Sequence, residues 1–263
     1  MSKIYDCVMF FNELDMLELR FNILNDVVDY FVVCEAEETH SGQPKPLNFL
    51  ANYDRFRQWQ NKIIYVNAGE LSNGQRTSWD RERYHRTRIS EGLHSAQPDD
   101  FVIVSDCDEI PDPNVIENLH HFSNIKSVRV ELAMYYYDMN HRVDQGWSIG
   151  ACQWGVEKDP NCIRTLSNMI NPAVFGEYIK SGWHFSYFGG PQAIIEKHAA
   201  FMHHADPGVA ELPHDPTYIA DKVRASLDLY GRDLIVTHIP TSDTLPQYVL
   251  DNSEKYRAMG WLE

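Results

Sequence analysis

In the first hundred residues of the chain, short apolar runs alternate with segments of helical periodicity. The apolar runs have the length of strands and cover residues 4–11, 30–35, 62–66 and 101–104. Between the first two runs, Leu14, Leu17 and Phe21 recur at the three- and four-residue spacings of one helix face. Strands that alternate with helices form parallel sheets with both faces covered. We therefore predict an α/β fold with a mostly parallel central sheet flanked by helices.

The pattern changes from residue 127 onward. Residues 127–138 form a long aromatic run, and the tryptophans that follow lie among Gly, Asn and Pro. This pattern predicts a smaller antiparallel part with long loops, followed by helices at 191–202, 216–230 and 246–259. No linker rich in Pro, Gly or Ser separates the two parts. We expect a single domain over residues 1–263, in which 1–126 form a binding scaffold and 127–263 complete a cleft.

The chain of 263 residues has a formal net charge of -15. Binding to nucleic acid or to an anionic membrane depends on clustered Lys and Arg, so neither partner is expected. The sequence has no secretion signal and no apolar stretch of membrane-spanning length, so we expect a cytoplasmic protein without a membrane anchor. Its five cysteines lack zinc-binding spacing, and most are expected to be buried and reduced.

The most informative segment is DDFVIVSDCDEIP, residues 99–111. Its apolar strand leads directly to Asp106 and Asp108, and ligands of open α/β sheets bind beyond the carboxyl ends of the strands. Two carboxylates at this spacing share one side if the strand continues, and a divalent cation offsets their repulsion. Oxygen ligands favour Mn²⁺ or Mg²⁺, which also bind phosphate oxygens. The alternative is that both acids are solvated and cap a helix beginning near Pro113.

Three segments, occurring in this order, resemble one known family. They are residues 5–49, which begin YDCVMFFNELD, SDCDEIP at 105–111 and SGWHFSYFGG at 181–190. In these segments the chain is similar to glycosyltransferase family 17. The resemblance implies a GT-A type nucleotide-sugar fold, with a nucleotide-binding half at 1–126 and an acceptor half with C-terminal helices at 127–263. It also implies an inverting, Mn²⁺-dependent transfer of N-acetylglucosamine from a UDP-sugar to a glycan acceptor.

Besides Asp106, four further side chains are candidates for contacts with the nucleotide. Asn12 follows the first strand and Glu35 ends the second, where contacts with base and ribose are expected. A helix cap explains Asn12 equally well. Arg83 and Arg86 lie at i and i+3 of a helix, and we expect both to bind the diphosphate or the sugar. Surface ion pairs with neighbouring acids are the alternative for these arginines.

His184 lies in SGWHFSYFGG, where nearby glycines allow the backbone to approach a ligand closely. A late histidine completes the metal shell in many GT-A enzymes, so we expect His184 to join the two aspartates. A role as base on the acceptor side and structural packing are its alternatives. Glu177 is our candidate for the catalytic base, although no motif distinguishes it from other carboxylates. Trp147 and Trp154 are expected in loops, as platforms for acceptor sugars.

Two other functions remain open from the sequence. The same acidic strand end would suit a metal-dependent nucleotidyltransferase or phosphohydrolase, which would turn over nucleotide or phosphate without an acceptor sugar. A non-catalytic nucleotide-sugar binding module would bind a donor without any transfer. The presence or absence of turnover, with and without an acceptor, therefore distinguishes the three functions.

Overall fold

The computed structural model describes residues 2–72, 77–119, 127–165, 182–241 and 243–263. Its strands are β1 (Ile4–Phe10), β2 (Tyr30–Ala36), β3 (Ile63–Gly69), β4 (Phe101–Asp106), β5 (Glu109–Pro111), β6 (Ser127–Tyr136), β7 (His141–Gln153), β8 (Gly182–Ser186) and β9 (Val236–His238). Its helices are α1 (Leu14–Leu24), α2 (Asn48–Ala51), α3 (Ser78–Arg88), α4 (Pro113–Asn118), α5 (Pro160–Thr165), α6 (Gly190–Ala200), α7 (Pro216–Arg224), α8 (Gln247–Asp251) and α9 (Ser253–Ala258). Short 3₁₀ segments include Tyr53–Trp59, Ile89–Leu93 and Met202–Ala205.

The strands form one mixed sheet in the order β3-β2-β1-β4-β7-β6-β8-β5, and β9 pairs with β7. The first four strands in this order are parallel. Strand β7 then pairs antiparallel with both β4 and β6, whereas β6 is parallel to β8. The predicted α/β fold is confirmed. The parallel pairing of β6 with β8 is a feature that the sequence pattern did not indicate.

Alternate residues of the parallel strands pack into cores on opposite faces of the sheet. In β2, Phe31 and Val33 belong to the core that includes α1, whereas Val32 and Cys34 belong to a second core. Phe21 of α1 stacks on Phe31 with ring centroids 4.1 Å apart. Since both faces of these strands are covered, a ligand reaches them at their carboxyl ends.

The helices of the second part are shorter than the sequence predicts. Residues 246–259 form two helices because Asn252, with φ -115° and ψ 29°, interrupts the helical backbone between α8 and α9. Helix α7 ends at Arg224, and Ser226 just beyond it has a positive φ of 51°. Within the described ranges, no helix is long and apolar enough to cross a membrane. The cytoplasmic location and the division into two halves stay predictions.

Gly182 allows β8 to lie directly against β5. Its φ is +149°, and a Cβ at this position would stand 2.3 Å from the carbonyl oxygen of Ile110. The close approach pairs Pro111 with Gly182 and Glu109 with His184. A glycine at the start of β8 therefore brings the His184 segment to the end of the acidic strand.

Candidate active site

The acidic segment forms a sharp turn between β4 and β5. Asp106 is the last residue of β4, Cys107 and Asp108 form the turn, and Glu109 begins β5. The strand therefore does not continue through both aspartates, and alternation along a strand does not explain why they would point to the same side. Nevertheless Asp106 and Asp108 line the same cavity, together with His184.

Arg20 of α1 donates several hydrogen bonds that stabilise this turn. Its side chain is fully buried and pairs with Asp6 of β1 through two bonds, Nε to Oδ2 at 2.7 Å and Nη2 to Oδ1 at 2.5 Å. The same guanidinium donates to the carbonyl oxygens of Asp106 at 3.1 Å and Glu109 at 2.7 Å, and to Oγ of Ser105 at 2.7 Å. The sequence contained a signal for this role, because Arg20 lies on the apolar face of α1, where a charge requires a buried partner.

Glu109 is a buried carboxylate with several donors. Its Oε1 accepts from Arg164 Nη2 at 2.6 Å and from Trp147 Nε1, and its Oε2 accepts from the backbone N–H of Asp106 at 2.9 Å. Burial raises the pKa of Glu109 above its usual value, although Arg164 opposes this effect. Glu109 therefore stabilises the shape of the turn by its own hydrogen bonds, and no sequence motif marks it for this role.

Asp106 lies between two arginines from different helices. Arg164 Nη2 of α5 is 3.6 Å from Oδ2, and Arg86 Nη2 of α3 is 4.0 Å from Oδ1. Burial alone would raise the pKa of Asp106, but Arg164 and Arg86 outweigh it and lower this pKa. Asp106 is thus kept in its ionised form at the end of β4, where the turn begins.

Asp108 has a cation and an imidazole as its neighbours. Lys197 Nζ of α6 donates to Oδ2 at 2.6 Å, and His184 Nε2 of β8 is 3.7 Å from Oδ1. Burial alone would lower the pKa of Lys197, but Asp108 raises it, so the ammonium stays charged. Nδ1 of His184 is buried without a hydrogen-bond partner among the described residues. Lys197 was not predicted from the sequence, because no local pattern marks it.

A cavity of about 260 Å³ lies at the carboxyl ends of the parallel strands, and its lining includes Asp106, Asp108, Glu109, His184 and Lys197. Residues after β1 and β2 form one end, which includes Phe11, Thr39 and His40. Residues of β6, β8 and α6 form the other, which includes Tyr136 and Lys197. The cavity thus extends from the predicted nucleotide-binding half into the predicted acceptor half.

Comparison with known proteins identifies the family. The family model described as Glycosyltransferase family 17 matches residues 1–260. This chain belongs to glycosyltransferase family 17. The resemblance stated from the three sequence segments is therefore confirmed.

Two similar proteins are named beta-1,4-mannosyl-glycoprotein 4-beta-N-acetylglucosaminyltransferase. The human protein is 37% identical over 107 residues, which are 38% of this chain and 20% of that protein. The rat protein is 34% identical over 116 residues, 41% of this chain and 22% of that protein. The match thus spans about a fifth of each relative's length. A crystal structure of glucosyl-3-phosphoglycerate synthase from Mycobacterium tuberculosis, in complex with Mn²⁺, UDP and phosphoglyceric acid, has 14% identity and a TM-score of 0.29, and the match covers 51% of this chain and 43% of that one.

The donor set of this family 17 chain fits a divalent cation in part. Two adjacent ligands of an octahedral ion, each about 2.1 Å away, stand about 3 Å apart. Asp108 Oδ1 and His184 Nε2, at 3.7 Å, are close to this spacing. In the described part of the chain, however, no group of three His, Cys, Asp or Glu side chains is arranged to hold a metal. A cation bound here would complete its shell with oxygens of a ligand or of water.

The predicted nucleotide contacts are placed at different distances from the cavity. Arg86 is buried beside Asp106, whereas Arg83 is exposed, so the two arginines do not act as a pair. Glu35 is fully buried and accepts from the backbone N–H of Phe49 at 2.9 Å, which places it at the start of α2 and outside the cavity lining. Asn12 is exposed and lines an adjacent cavity.

The predicted acceptor-side residues also differ in placement. Trp147 lies in β7 and not in a loop; its ring centroid is 5.3 Å from that of His184. Trp154 does follow a strand, but it is buried in the second core and offers no platform. Glu177 lies outside the described residues. Of the predicted site, the structure brings together Asp106, Asp108, His184, Arg86 and Trp147.

Proposed function

We propose that this chain is an inverting glycosyltransferase that transfers N-acetylglucosamine from a UDP-sugar to a glycan acceptor, with a divalent cation, Mn²⁺ or Mg²⁺. Family membership supports the reaction class. The observation that carries the proposal is the meeting of Asp108 and His184 at the carboxyl end of β4, inside a cavity that extends into the predicted acceptor half. That end of a parallel sheet is where nucleotide ligands bind.

Asp108 and His184 would hold the cation, which supplies Lewis-acid stabilisation of the leaving diphosphate when bound. Lys197 lies beside this position, since its Nζ is 2.6 Å from Asp108 Oδ2. Its positive charge would stabilise negative charge that develops on the leaving group. Arg86 and Arg164 keep Asp106 ionised, and Arg20 keeps the turn in place beneath it.

An inverting transfer requires a base that removes the acceptor proton as the acceptor hydroxyl attacks. Glu177 remains our proposal for that base. The second role considered for His184, on the acceptor side, predicts that His184→Ala loses transfer while Mn²⁺ affinity is unchanged. A role in the metal shell predicts instead that Mn²⁺ affinity falls together with transfer.

The test is a donor panel with a matched pair of variants. The protein is incubated with Mn²⁺ and UDP-GlcNAc, UDP-Gal, UDP-Glc or GDP-Man, and nucleoside diphosphate release is measured with and without glycan acceptors. We expect release from UDP-GlcNAc that depends on an acceptor. Release that needs no acceptor would instead indicate a hydrolase, and binding of a GDP-sugar alone would contradict the donor.

The variants test the site itself. Asp108→Asn is expected to weaken Mn²⁺-dependent UDP binding at least about tenfold, because it removes a charged ligand. Asp112→Asn is the matched control: Asp112 Oδ1 accepts from the N–H of Asn114 at 2.8 Å to cap α4, and Asn caps helices equally well. Equal UDP binding by both variants would refute the role of Asp108.

A further inference from the structure

The turn after β2 presents a histidine to the cavity in a fixed orientation. Gly42 N–H donates to the carbonyl of Thr39 at 3.0 Å, and Arg81 Nη1 donates to the carbonyl of His40 at 3.1 Å. Gly42 has a φ of +90°, and a Cβ there would stand 2.9 Å from the Arg81 guanidinium. The backbone that carries the His40 ring is therefore tightly held, as a specificity element requires.

A chain of hydrogen bonds determines the tautomers of two histidines. His85 Nε2 is 3.0 Å from the carbonyl oxygen of Cys34, and a carbonyl only accepts, so Nε2 of His85 carries the proton. Burial lowers the pKa of His85 well below its usual value, so its Nδ1 has no proton and accepts. His40 Nε2 lies 3.2 Å from that Nδ1 and must donate to it.

The ring of His40 is consequently left with one acceptor, Nδ1, that has no hydrogen-bond partner among the described residues. Burial lowers the pKa of His40 to about 4, so at neutral pH its ring carries a single proton. That proton is on Nε2, which donates to His85. Nδ1 of His40 therefore carries a lone pair, on a ring that lines the cavity.

The position of His40 indicates which part of a nucleotide it would meet. His40 follows β2 and the aspartates follow β4, and β1 lies between these two strands. Two strand spacings separate the strand ends by about 10 Å. A nucleoside diphosphate is long enough to span such a distance, so phosphates bound near Asp108 would bring its base near His40.

We propose that Nδ1 of His40 accepts a hydrogen bond from the N3–H of a uracil base, and that this contact selects uracil over cytosine. N3 of uracil carries a hydrogen, whereas N3 of cytosine is itself an acceptor, so cytosine would place two lone pairs face to face. His85 is the positioning residue, because it forces the His40 proton onto Nε2. This inference rests on the proposed function, since it requires a pyrimidine nucleoside diphosphate in the cavity.

Calorimetric titration with UDP, CDP and N3-methyl-UDP in the presence of Mn²⁺ tests the inference. The wild-type protein is expected to bind UDP at least about tenfold more tightly than either analogue, as expected for loss of one buried hydrogen bond. His40→Phe, which has no acceptor, is expected to bind UDP and CDP equally. His40→Gln offers both an acceptor and a donor, so its CDP affinity should approach its UDP affinity.

His94→Phe is the matched control, because His94 is exposed and does not line the cavity; it should keep the wild-type preference. Wild-type protein that binds UDP and CDP equally would overturn the inference and leave the transferase proposal standing. Wild-type protein that binds no UDP would overturn both. If His40→Phe does not fold, the analogue series on wild-type protein and the Gln variant still decide the matter.

Discussion

The geometry of the acidic turn depends on Arg20, which donates to the carbonyl oxygens of Asp106 and Glu109, so removal of its guanidinium should destabilise the turn. Arg20→Met keeps a long apolar stem in α1 but removes the guanidinium. The buried Asp6 carboxylate then loses both of its bonds to Arg20, and the carbonyls of Asp106 and Glu109 lose a donor. The perturbation therefore combines an unpaired buried charge with two weakened carbonyl contacts.

The expected cost follows from these contacts. Removal of one partner of a buried ion pair costs about 3–5 kcal/mol. Each carbonyl that loses its donor adds about 1 kcal/mol, although contributions of neighbouring groups do not sum fully. We expect Arg20→Met to lower the free energy of unfolding by about 5 kcal/mol, the lower end of the sum of these contributions. The double variant Asp6→Leu/Arg20→Met has no orphaned charge and should recover all but about 2 kcal/mol, the share of the two carbonyls.

Urea denaturation followed by circular dichroism measures both values. Arg55→Met is the control, because Arg55 pairs with Asp15 and Glu18 at a partly exposed site and such pairs contribute about 1 kcal/mol or less. A loss in Arg20→Met no larger than that of Arg55→Met would refute the reasoning. If Arg20→Met is too unstable to purify, Arg20→Lys, which keeps the charge but fewer donors, is expected to lie between it and wild type.

Three further predictions concern the cavity and its supports. Gly182→Ala should lower the free energy of unfolding in urea by about 3 kcal/mol or more, because its Cβ would stand 2.3 Å from a backbone oxygen. Gly208→Ala should lower it by only about 1–2 kcal/mol, because Gly208 has a φ of +81° but nothing within 4 Å of its Cβ position. Lys197→Met should raise the Mn²⁺ affinity of the nucleotide-free protein about tenfold, because it removes a cation that competes for Asp108. Lys158 is exposed, so Lys158→Met should leave this affinity unchanged, and direct Mn²⁺ titration compares the two variants. Because the pKa of His40 is lowered to about 4, its contribution to stability is present above pH 6.5 and is lost as the pH falls toward 4. Between pH 7 and pH 5, protonation of His40 should lower the free energy of unfolding of the wild-type protein by at most about 2 kcal/mol. In His40→Gln this part of the decrease should be absent when unfolding is measured at the two pH values.

Periodicity predicted the parallel half of the sheet because each of its strands contains at least four successive apolar residues. The residues 4–11 and 30–35 correspond to β1 and β2 within a residue at each end. Strands β5 and β8 have no such signal: β5 has three residues, and β8 contains Gly182 and His184 among its five. Their pairing depends on the close approach at Gly182, which is a tertiary contact and leaves no period in the sequence.

The site likewise contains residues that local sequence predicts and residues that only the fold reveals. The placement of Asp106 and Asp108 beside the cavity was predictable because the strand that positions them is adjacent in sequence. His184, a candidate because glycines surround it, lines the same cavity, and the roles of all three stay predictions. Glu35 was misleading for a physical reason: it ends a strand as expected, yet its carboxylate binds backbone N–H groups at the start of α2. Lys197 is 89 residues from its partner Asp108, so only the fold reveals the pair.

Positively charged side chains surround the acidic turn and offset the negative charge of its carboxylates. The chain has a net charge of -15, yet the acidic turn is surrounded by cations from four helices, Arg20, Arg86, Arg164 and Lys197. A pair of aspartates in a sequence therefore does not by itself indicate an open metal site, because the fold supplies its own positive partners. A divalent cation bound beside Asp108 would have to displace Lys197 or share the carboxylate with it, and a diphosphate would give that ammonium a new anionic partner. Cation and nucleotide should consequently bind this site together more favourably than either binds alone.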